Sequence, residues 1–131
     1  MRPEECQDQA RLWLPSIPPI RAESVVRRNL RAYVADVEAG RWERSTRFCL
    51  LDHPIGDLAG SRLGIVGYGA LGRRVAQIAR AFGMEVAVTS RSPVADTDVV
   101  QLPLGELLAT SDVVSLHLPL TDQTRHMIGA R

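Results

Sequence analysis

The chain has 131 residues, of which 45% are hydrophobic and 24% charged, and its net charge is +1. This composition is typical of one globular domain, long enough to bury about two-thirds of its unfolded surface. Sixteen basic and fifteen acidic side chains are spread along the sequence, so charge gives no reason to expect a nucleic acid or an anionic membrane as a partner.

The N-terminal stretch, the lengths of the apolar runs and the two cysteines limit the class of protein further. No apolar run approaches the roughly 20 residues of a membrane span, and the opening stretch MRPEECQDQA carries charges where a signal peptide has its apolar core. We therefore expect a cytoplasmic protein. Cys6 and Cys49 are too few and too far apart for a disulfide framework, and no cysteine or histidine cluster has metal-ligand spacing. We expect both cysteines to be reduced and structural, and we expect no metal site.

The first 60 residues divide into three predicted segments. Residues 1–21 contain prolines that interrupt any helical or strand period, which predicts an irregular arm. Residues 22–39 carry apolar side chains at three- and four-residue steps before Gly40, which predicts one amphipathic helix whose apolar stripe must be covered. Residues 41–60 mix aromatic residues with Pro54 and glycines, which predicts a long irregular connection. Residues 22–60 are therefore predicted as a helix plus a connecting segment.

From residue 61 the pattern alternates between strands and helices. RLGIVGY predicts a strand, residues 70–82 a helix ended by Gly83, and EVAVTS a second strand. SPVADTDVVQLP predicts a loop, LGELLAT a short helix and DVVSLHL a third strand, with a further helix beginning near Thr121. Strands separated by helices predict a parallel sheet with right-handed crossovers. The predicted fold class is α/β, with residues 61–131 forming the first, β-α-β-α-β half of a Rossmann-type sheet, in strand order 3-2-1 with RLGIVG at an exposed edge.

Three glycines follow the first predicted strand in the spacing GxGxxG. In this motif the first glycine permits a tight turn, the second lets phosphates approach the backbone, and the third lets the helix lie close to the sheet. The helix also directs its free N–H groups at the same space, and its dipole favours an anion there. The strand before and the helix and strand after the motif therefore predict a pyrophosphate site formed by Gly67, Gly69, Ala70, Leu71 and Gly72.

The second predicted strand ends in Thr89-Ser90-Arg91-Ser92, where dinucleotide-binding proteins usually carry an acidic residue for the ribose hydroxyls. A carboxylate would repel a 2′-phosphate, whereas Arg91 can donate two hydrogen bonds to one, and Ser90 and Ser92 can add hydroxyls. We therefore favour NADP over NAD as the cofactor. The alternative is that Arg91 is a solvated loop arginine and that the site accepts both dinucleotides.

Several separate segments resemble one known family. LAGSRLGIVGYGALGRRVAQIARAFGMEVAVTSRS and LLATSDVVSLHLPLTDQTRHMIGA resemble the nucleotide-binding domain of the D-isomer-specific 2-hydroxyacid dehydrogenases, and GRWERSTRFCLLDHPIGDLAG is most similar to the glycerate dehydrogenase and hydroxypyruvate reductase branch. The resemblance covers about residues 30–131 and implies hydride transfer between a nicotinamide and the C2 atom of a 2-hydroxy or 2-keto acid. It also implies that His117, Leu118 and Pro119 lie along the cofactor near its adenosine. Without the resemblance, a packed histidine explains His117 better.

The catalytic residues of this family have no counterpart in the sequence. In the family an arginine lies in an Asn-x-x-Arg-Gly stretch one helix and one strand beyond the point that this chain reaches, and a glutamate and a histidine follow it. Arg131 precedes that segment, His126 lies elsewhere, and Asp52-His53-Pro54 is most simply a polar turn. We therefore predict a truncated chain, the cofactor-binding fragment of an oxidoreductase, which is inactive by itself.

Two other interpretations stay open. One is a non-catalytic module that senses a dinucleotide, or that forms a homodimer or docks on a full-length relative through the helix at 22–39 and the segment around Trp42. Members of the family that the chain resembles usually dimerise through their nucleotide-binding domains, but packing of Trp42 within its own chain explains this residue equally well. The other is a different Rossmann enzyme, such as a methyltransferase, which the stretch SLHLPLT disfavours.

Overall fold

The described part of the chain contains four helices and four strands. A computed structural model describes residues 20–128. In chain order the elements are α1 (20–27), α2 (Leu30–Glu38), β1 (Arg62–Val66), α3 (Ala70–Ala81), β2 (Glu85–Thr89), β3 (Val100–Gln101), α4 (Leu104–Thr110) and β4 (Val113–Leu116). The predicted β-α-β unit around the glycines is confirmed, and its elements end within two residues of the predicted positions.

The four strands form one parallel sheet in the order β3-β2-β1-β4. Leu63 of β1 lies opposite Val86 of β2 on one side and Val113 of β4 on the other. The predicted α/β class is confirmed, but the predicted exposed edge at RLGIVG is wrong, because the strand from DVVSLHL pairs with β1 and makes it an interior strand. The outer place beside β2 is taken by β3, which lies inside the predicted loop. Two residues are too short for a hydrophobic pattern to reveal a strand.

The helices α3 and α4 cover opposite faces of the sheet. Successive side chains of β1 alternate between the faces, so that Ile65 is buried in a cluster with Val75 of α3, and Val66 in a second cluster with Leu107 of α4. Burying each of these side chains stabilises the fold by about 1.5–3 kcal/mol. The sheet is therefore stabilised by one apolar layer on each face, and the loops at its ends are available to bind a ligand.

Gly64 lets α4 lie against the middle of β1. A Cβ atom at position 64 would contact the Ser111 hydroxyl and would lie 2.6 Å from one methyl carbon of Leu107. Leu107 is fully buried, so its side chain has little space to move away. The absence of a side chain in β1 thus sets the distance between the sheet and α4.

The helix predicted over 22–39 is divided in two. Asn29 adopts a left-handed conformation with φ of 48°, and α2 begins directly after it. Asparagine is one of the few residues that tolerate this conformation, and here its side-chain amide donates a 2.6 Å hydrogen bond to the carbonyl oxygen of Pro54. Helix α1 includes residues 20 and 21, which were assigned to the arm, and the rest of the predicted arm lies outside the described residues.

The apolar stripe of this helical region is largely uncovered in the described structure. Val26, Leu30, Val34 and Val37 are between 47% and 71% exposed, and Trp42 is 52% exposed. The expectation that the stripe must be covered is therefore not met by residues 20–128. Packing of Trp42 within its own chain buries only about half of that side chain.

Charged side chains attach the connecting segment to α2. The Asp36 carboxylate accepts hydrogen bonds from Arg41 at 2.7 Å and from the His53 ring at 2.8 Å, and the Tyr33 hydroxyl donates to the carbonyl oxygen of His53 at 2.7 Å. The hydrogen bond from Arg41 lowers the pKa of Asp36, against the opposing effect of desolvation, and His53 adds to the lowering. The polar turn at Asp52-His53-Pro54 is thus part of an ion-pair cluster.

Two other sequence predictions are corrected. The helix predicted near Thr121 is a hydrogen-bonded turn, in which Arg125 N–H donates to the Thr121 carbonyl at 2.8 Å, and His126 follows with a left-handed φ of 57° that ends the helical geometry. Cys49, predicted to be reduced and structural, is a free thiol as predicted, but it is exposed in the connecting segment and so has no structural packing role. Cys6 lies outside the described residues. Within residues 20–128 no helix has the length and apolar character to cross a membrane.

We expect Gly64→Ala to lower the free energy of unfolding by about 1–3 kcal/mol, because the added methyl group overpacks the contact between β1 and α4. Urea denaturation followed by circular dichroism measures the change. Gly105→Ala is the matched control, because a Cβ at position 105 in α4 would meet no atom within 4 Å. An unchanged denaturation midpoint for Gly64→Ala would show that α4 can move away from β1 at no cost.

Candidate functional site

A cleft of about 530 Å³ lies where β1, β2 and β4 end. Clefts at the carboxyl ends of parallel strands are the usual ligand sites of open α/β sheets. The predicted site residues on its walls are Gly67, Gly69, Ser90, Arg91, Ser92, His117, Leu118 and Pro119. The fold thus brings together residues from three loops that are up to 52 positions apart in sequence.

Gly67 and Gly72 are required by the fold itself. Gly67 has a φ of 99°, and a Cβ atom there would lie 2.5 Å from the carbonyl oxygen of His117. A Cβ at position 72, in the first turn of α3, would collide with the carbonyl oxygen of Gly67. These two glycines let the glycine-rich loop fit between the ends of the neighbouring strands and the start of α3, as the motif predicts.

Gly69 differs from the other two glycines. Its φ of −81° is open to any residue, and a Cβ atom there would meet nothing within 4 Å. It lines the cleft and directly precedes Ala70, the first residue of α3, whose first turn carries N–H groups without helical acceptors. Gly69 is the N-cap of α3, where glycine is among the favoured residues, and its lack of a side chain also leaves room for a phosphate to approach the backbone.

The other residues of the predicted pyrophosphate site do not line the cleft with their side chains. Ala70 is exposed at the start of α3, Leu71 is half-buried, and Gly72 is buried behind Gly67. Their backbone N–H groups belong to the first turn of α3, where the helix leaves its donors without helical acceptors. Any contact of these residues with an anion is therefore made by the backbone.

Arg73 and Asp96 also line the cleft, although they were not predicted from the sequence. Arg73 lies in the first turn of α3, directly after the third glycine, and this position was a usable signal for a basic residue beside an anion site. Asp96 lies six residues beyond Ser90, in the loop that leads to β3. The sequence offers no signal for Asp96, because its position beside the glycine-rich loop depends on how the loop between β2 and β3 folds back.

Tyr68 connects the two walls of the cleft. Its hydroxyl donates a 2.6 Å hydrogen bond to the Asp96 carboxylate, which also accepts one from Arg80 at 3.3 Å. Burial, followed by the interaction with Asp96, raises the pKa of Tyr68 to about 12. The same hydrogen bond is the main reason why the pKa of Asp96 is lowered. At neutral pH Tyr68 is therefore a neutral donor and Asp96 a carboxylate already engaged by the protein.

His117 lies at the end of β4, where its backbone N–H donates to the carbonyl oxygen of Val66 at 2.8 Å. Its ring nitrogen Nε2 lies 2.9 Å from the Ser115 hydroxyl, and burial lowers its pKa. The ring is therefore neutral at pH 7. His117 is a partly buried, hydrogen-bonded histidine, as the interpretation without the resemblance predicts, and it also lines the cleft.

The charges of the cleft favour an anionic ligand. Arg73 and Arg91 are exposed on its wall, and the single carboxylate on that wall, Asp96, is paired with Arg80 and bonded to Tyr68. Within residues 20–128 no three or more His, Cys, Asp or Glu residues are grouped so that they could hold a metal ion. The chemistry offered is binding of phosphate groups by backbone N–H groups and arginines.

Comparison with known proteins agrees with this geometry. Residues 24–131 match the family model for the NAD-binding domain of the D-isomer-specific 2-hydroxyacid dehydrogenases. Glycerate dehydrogenase from Methylorubrum extorquens is 46% identical over 105 residues, which are 80% of this chain and 32% of that protein. Glyoxylate reductase from Aeropyrum pernix is 47% identical over 77 residues, 56% of this chain and 23% of that protein. The chain spans about a third or less of the length of these relatives.

Solved structures of similar proteins share the fold. A glycerate dehydrogenase related protein from Thermoplasma acidophilum aligns with a TM-score of 0.72 and 34% identity, over 86% of this chain and 38% of that one. A glyoxylate reductase from Paecilomyes thermophila aligns with the same TM-score and identity, over 86% of this chain and 34% of that one. The sequence match and the shared fold lead to one conclusion: the chain belongs to the D-isomer-specific 2-hydroxyacid dehydrogenase family and carries the NAD-binding domain of that family.

Proposed function

We propose that the chain binds NADP or NAD in this cleft and forms the cofactor-binding part of a reductase for glyoxylate or hydroxypyruvate. The observation that carries the proposal is the open space at Gly69, a residue of the cleft wall that directly precedes the first turn of α3. A phosphate suits such a space, because helix N–H groups bind anions when no side chain intervenes. The substrate class is supported by similar proteins named glycerate dehydrogenase, hydroxypyruvate reductase and glyoxylate reductase.

Each wall of the cleft has a proposed role. The dinucleotide supplies the hydride, and the residues of this chain bind and orient it. We assign the pyrophosphate to the backbone of the glycine-rich loop and the first turn of α3, with Arg73 adding positive charge on the same side. The ribose of the adenosine is assigned to Ser90, Arg91 and Ser92, and the adenosine side of the cleft to His117, Leu118 and Pro119.

The chain by itself is proposed to bind the dinucleotide without turnover. Reduction of a 2-keto acid needs a group that delivers a proton to the substrate oxygen and a cation that holds the substrate carboxylate. On the cleft wall, Tyr68 and Asp96 are hydrogen-bonded to each other. The two arginines of that wall, Arg73 and Arg91, lie where we place phosphate groups. The arginine, glutamate and histidine that catalyse the reaction in this family are therefore proposed to come from sequence that this chain does not contain.

NADP is the proposed cofactor, in preference to NAD. Arg91 and Ser92 are exposed on the cleft wall next to Ser90, so all three can reach a group on the ribose. Asp96, the carboxylate that shares this wall, is engaged by Tyr68 and Arg80. Guanidinium groups bind phosphate by charge-assisted hydrogen bonds, for which NAD offers no 2′-phosphate partner.

A second proposed function is the assembly of a homodimer through α2 and the adjoining segment. Val34, Val37 and Trp42 are about half exposed, although they are large apolar side chains. Val34 and Val37 are three residues apart on α2 and so lie on one face of that helix, and exposed apolar side chains grouped on one face usually mark an interface. A second copy of the chain, with the same surface, is the partner that we propose, and docking on a full-length relative is the alternative that the same surface permits.

The Gly69→Ala variant tests the pyrophosphate site. We expect its affinity for NADPH and NADH to fall at least about tenfold, because the methyl group occupies the space that a phosphate must enter and forfeits charge-assisted hydrogen bonds. Its free energy of unfolding should fall by no more than about 1 kcal/mol, because alanine is a weaker N-cap residue than glycine but meets no atom in that space. Isothermal titration calorimetry of the 131-residue chain provides the affinities, with Gly105→Ala as the control. Unchanged binding by Gly69→Ala would place the dinucleotide elsewhere.

The Arg91→Asp variant tests the choice of cofactor. We expect NADPH to bind at least about tenfold more weakly and NADH to become the preferred ligand, because a carboxylate repels a 2′-phosphate and can accept from ribose hydroxyls. The ratio of the two dissociation constants is the measurement. Arg31→Asp on α2 makes the same change in charge away from the cleft. A ratio that stays constant in Arg91→Asp would mean that Arg91 is solvated and does not read the ribose.

The Val34→Glu variant tests the homodimer. We expect it to shift the chain from dimer to monomer in sedimentation equilibrium, because the carboxylate would have to be desolvated in the interface. Leu108→Glu is the matched control, because Leu108 on α4 is 41% exposed and Val34 is 47% exposed. A chain that is monomeric without any substitution would contradict this second function and leave the first one standing.

A further inference from the structure

The side-chain amide of Gln101 holds the loop that carries the predicted ribose-binding residues. Its Oε1 atom accepts a hydrogen bond from the Val94 N–H at 3.0 Å. Its Nε2 atom donates to the carbonyl oxygens of Ser90 and Ser92, each at 3.2 Å. One side chain therefore contacts three alternate backbone positions of the same loop.

The chemistry of an amide fits this arrangement in one orientation. The two carbonyl oxygens need donors and the Val94 N–H needs an acceptor, and a glutamine supplies both from one planar group. Rotating the amide by half a turn would place oxygen against oxygen and N–H against N–H. A glutamate has the same shape but offers no donor, so it would repel both carbonyl oxygens. The three contacts therefore require the amide itself.

Gln101 is well placed to act as a fixed support. It lies in β3, where it is opposite Val88 of β2, and the next residue, Leu102, donates its N–H to the Val88 carbonyl at 2.9 Å. Strand β2 ends one residue later, at Thr89, and the chain then enters the loop that Gln101 holds. Gln101 and the start of the loop are thus both anchored to β2.

Gln101 is not one of the residues that line the cleft, whereas Ser90, Arg91 and Ser92 are. Its contacts with Ser90 and Ser92 are made through their backbone carbonyls, which leaves both hydroxyls available. Arg91 lies between these two anchored residues. The position from which its guanidinium projects is therefore set by Gln101, although Gln101 itself does not reach the cleft.

We propose that Gln101 is a positioning residue for the adenosine ribose of the dinucleotide, because its amide holds the turn formed by Ser90, Arg91 and Ser92 in the conformation that binds. This inference rests on the proposed dinucleotide function and adds to it a residue from a strand that the sequence did not reveal. Holding the turn before the ligand arrives removes the ordering cost from binding, which is the physical basis of preorganisation.

The test compares Gln101→Ala and Gln101→Glu with the unchanged chain, and uses Gln77→Glu on the exposed side of α3 as the matched control. Hydrogen exchange of the Val94 amide, measured without ligand, reports whether the turn is held. Calorimetric titrations with NADPH, NADH and inorganic pyrophosphate report whether binding depends on it. Pyrophosphate has no ribose, so its affinity separates an effect at the turn from a general loss of structure.

We expect exchange at Val94 to become at least about tenfold faster in both Gln101 variants, because the amide opens locally once its acceptor is removed or misplaced. Both dinucleotides should bind about three- to tenfold more weakly to Gln101→Ala, the range expected for one or two lost hydrogen bonds, and more weakly still to Gln101→Glu. The affinity for pyrophosphate and all properties of Gln77→Glu should stay unchanged.

Three results would overturn the inference. Unchanged exchange at Val94 would mean that Gln101 does not hold the turn, and faster exchange with unchanged dinucleotide affinity would mean that the ribose does not depend on it. A matching loss of pyrophosphate affinity would indicate general damage. If the unchanged chain binds neither dinucleotide, the proposed function itself fails. Exchange at Val94 is measured without ligand, so it still shows in that case whether Gln101 holds the turn.

Discussion

The candidate site depends on the close approach of three backbone segments at Gly67. The N–H of this residue donates to the Thr89 carbonyl at the end of β2, its Cα faces the His117 carbonyl at the end of β4, and its own carbonyl lies against Gly72 of α3. With no side chain, the end of β1 fits between its two neighbours while the chain turns into α3. The cleft adjoins this junction, because Gly67 and His117 both line it.

Around that junction the two walls of the cleft are joined by side chains distant in sequence. Tyr68 extends from the glycine-rich loop to Asp96, and Arg80 reaches the same carboxylate from α3. Asp96 is therefore engaged by Tyr68 and Arg80, whereas Arg73 and Arg91 are exposed on the cleft wall. The proposed anion site combines these arginines with the N–H groups of the first turn of α3.

Much of this arrangement could be predicted from the sequence, for physical reasons that differ between elements. The glycines at 67, 69 and 72 follow a local rule of backbone geometry, so their spacing predicted the β-α-β unit and the cleft. The position of DVVSLHL beside β1 could not be predicted in the same way, because an apolar strand shows that it is buried and not which neighbour it has. The break at Asn29 depends on the Pro54 carbonyl, 25 residues away, and the two residues of β3 leave no periodic signal. The hydrogen bonds from Gln101 to the loop of Ser90 and Ser92 could not be predicted for that last reason, since Gln101 lies in β3.

The two edges of the sheet have different consequences. Edge β3 has two residues and offers few backbone groups, whereas β4 has four and, within residues 20–128, pairs with β1 alone. Unpaired strand edges are templates for further strands, and short edges resist such addition. Within the described residues, β4 therefore offers a further strand more unpaired backbone groups than β3 does. A strand paired with β4 would lie beside His117, which lines the cleft, so strand addition at this edge would change the surroundings of the cleft.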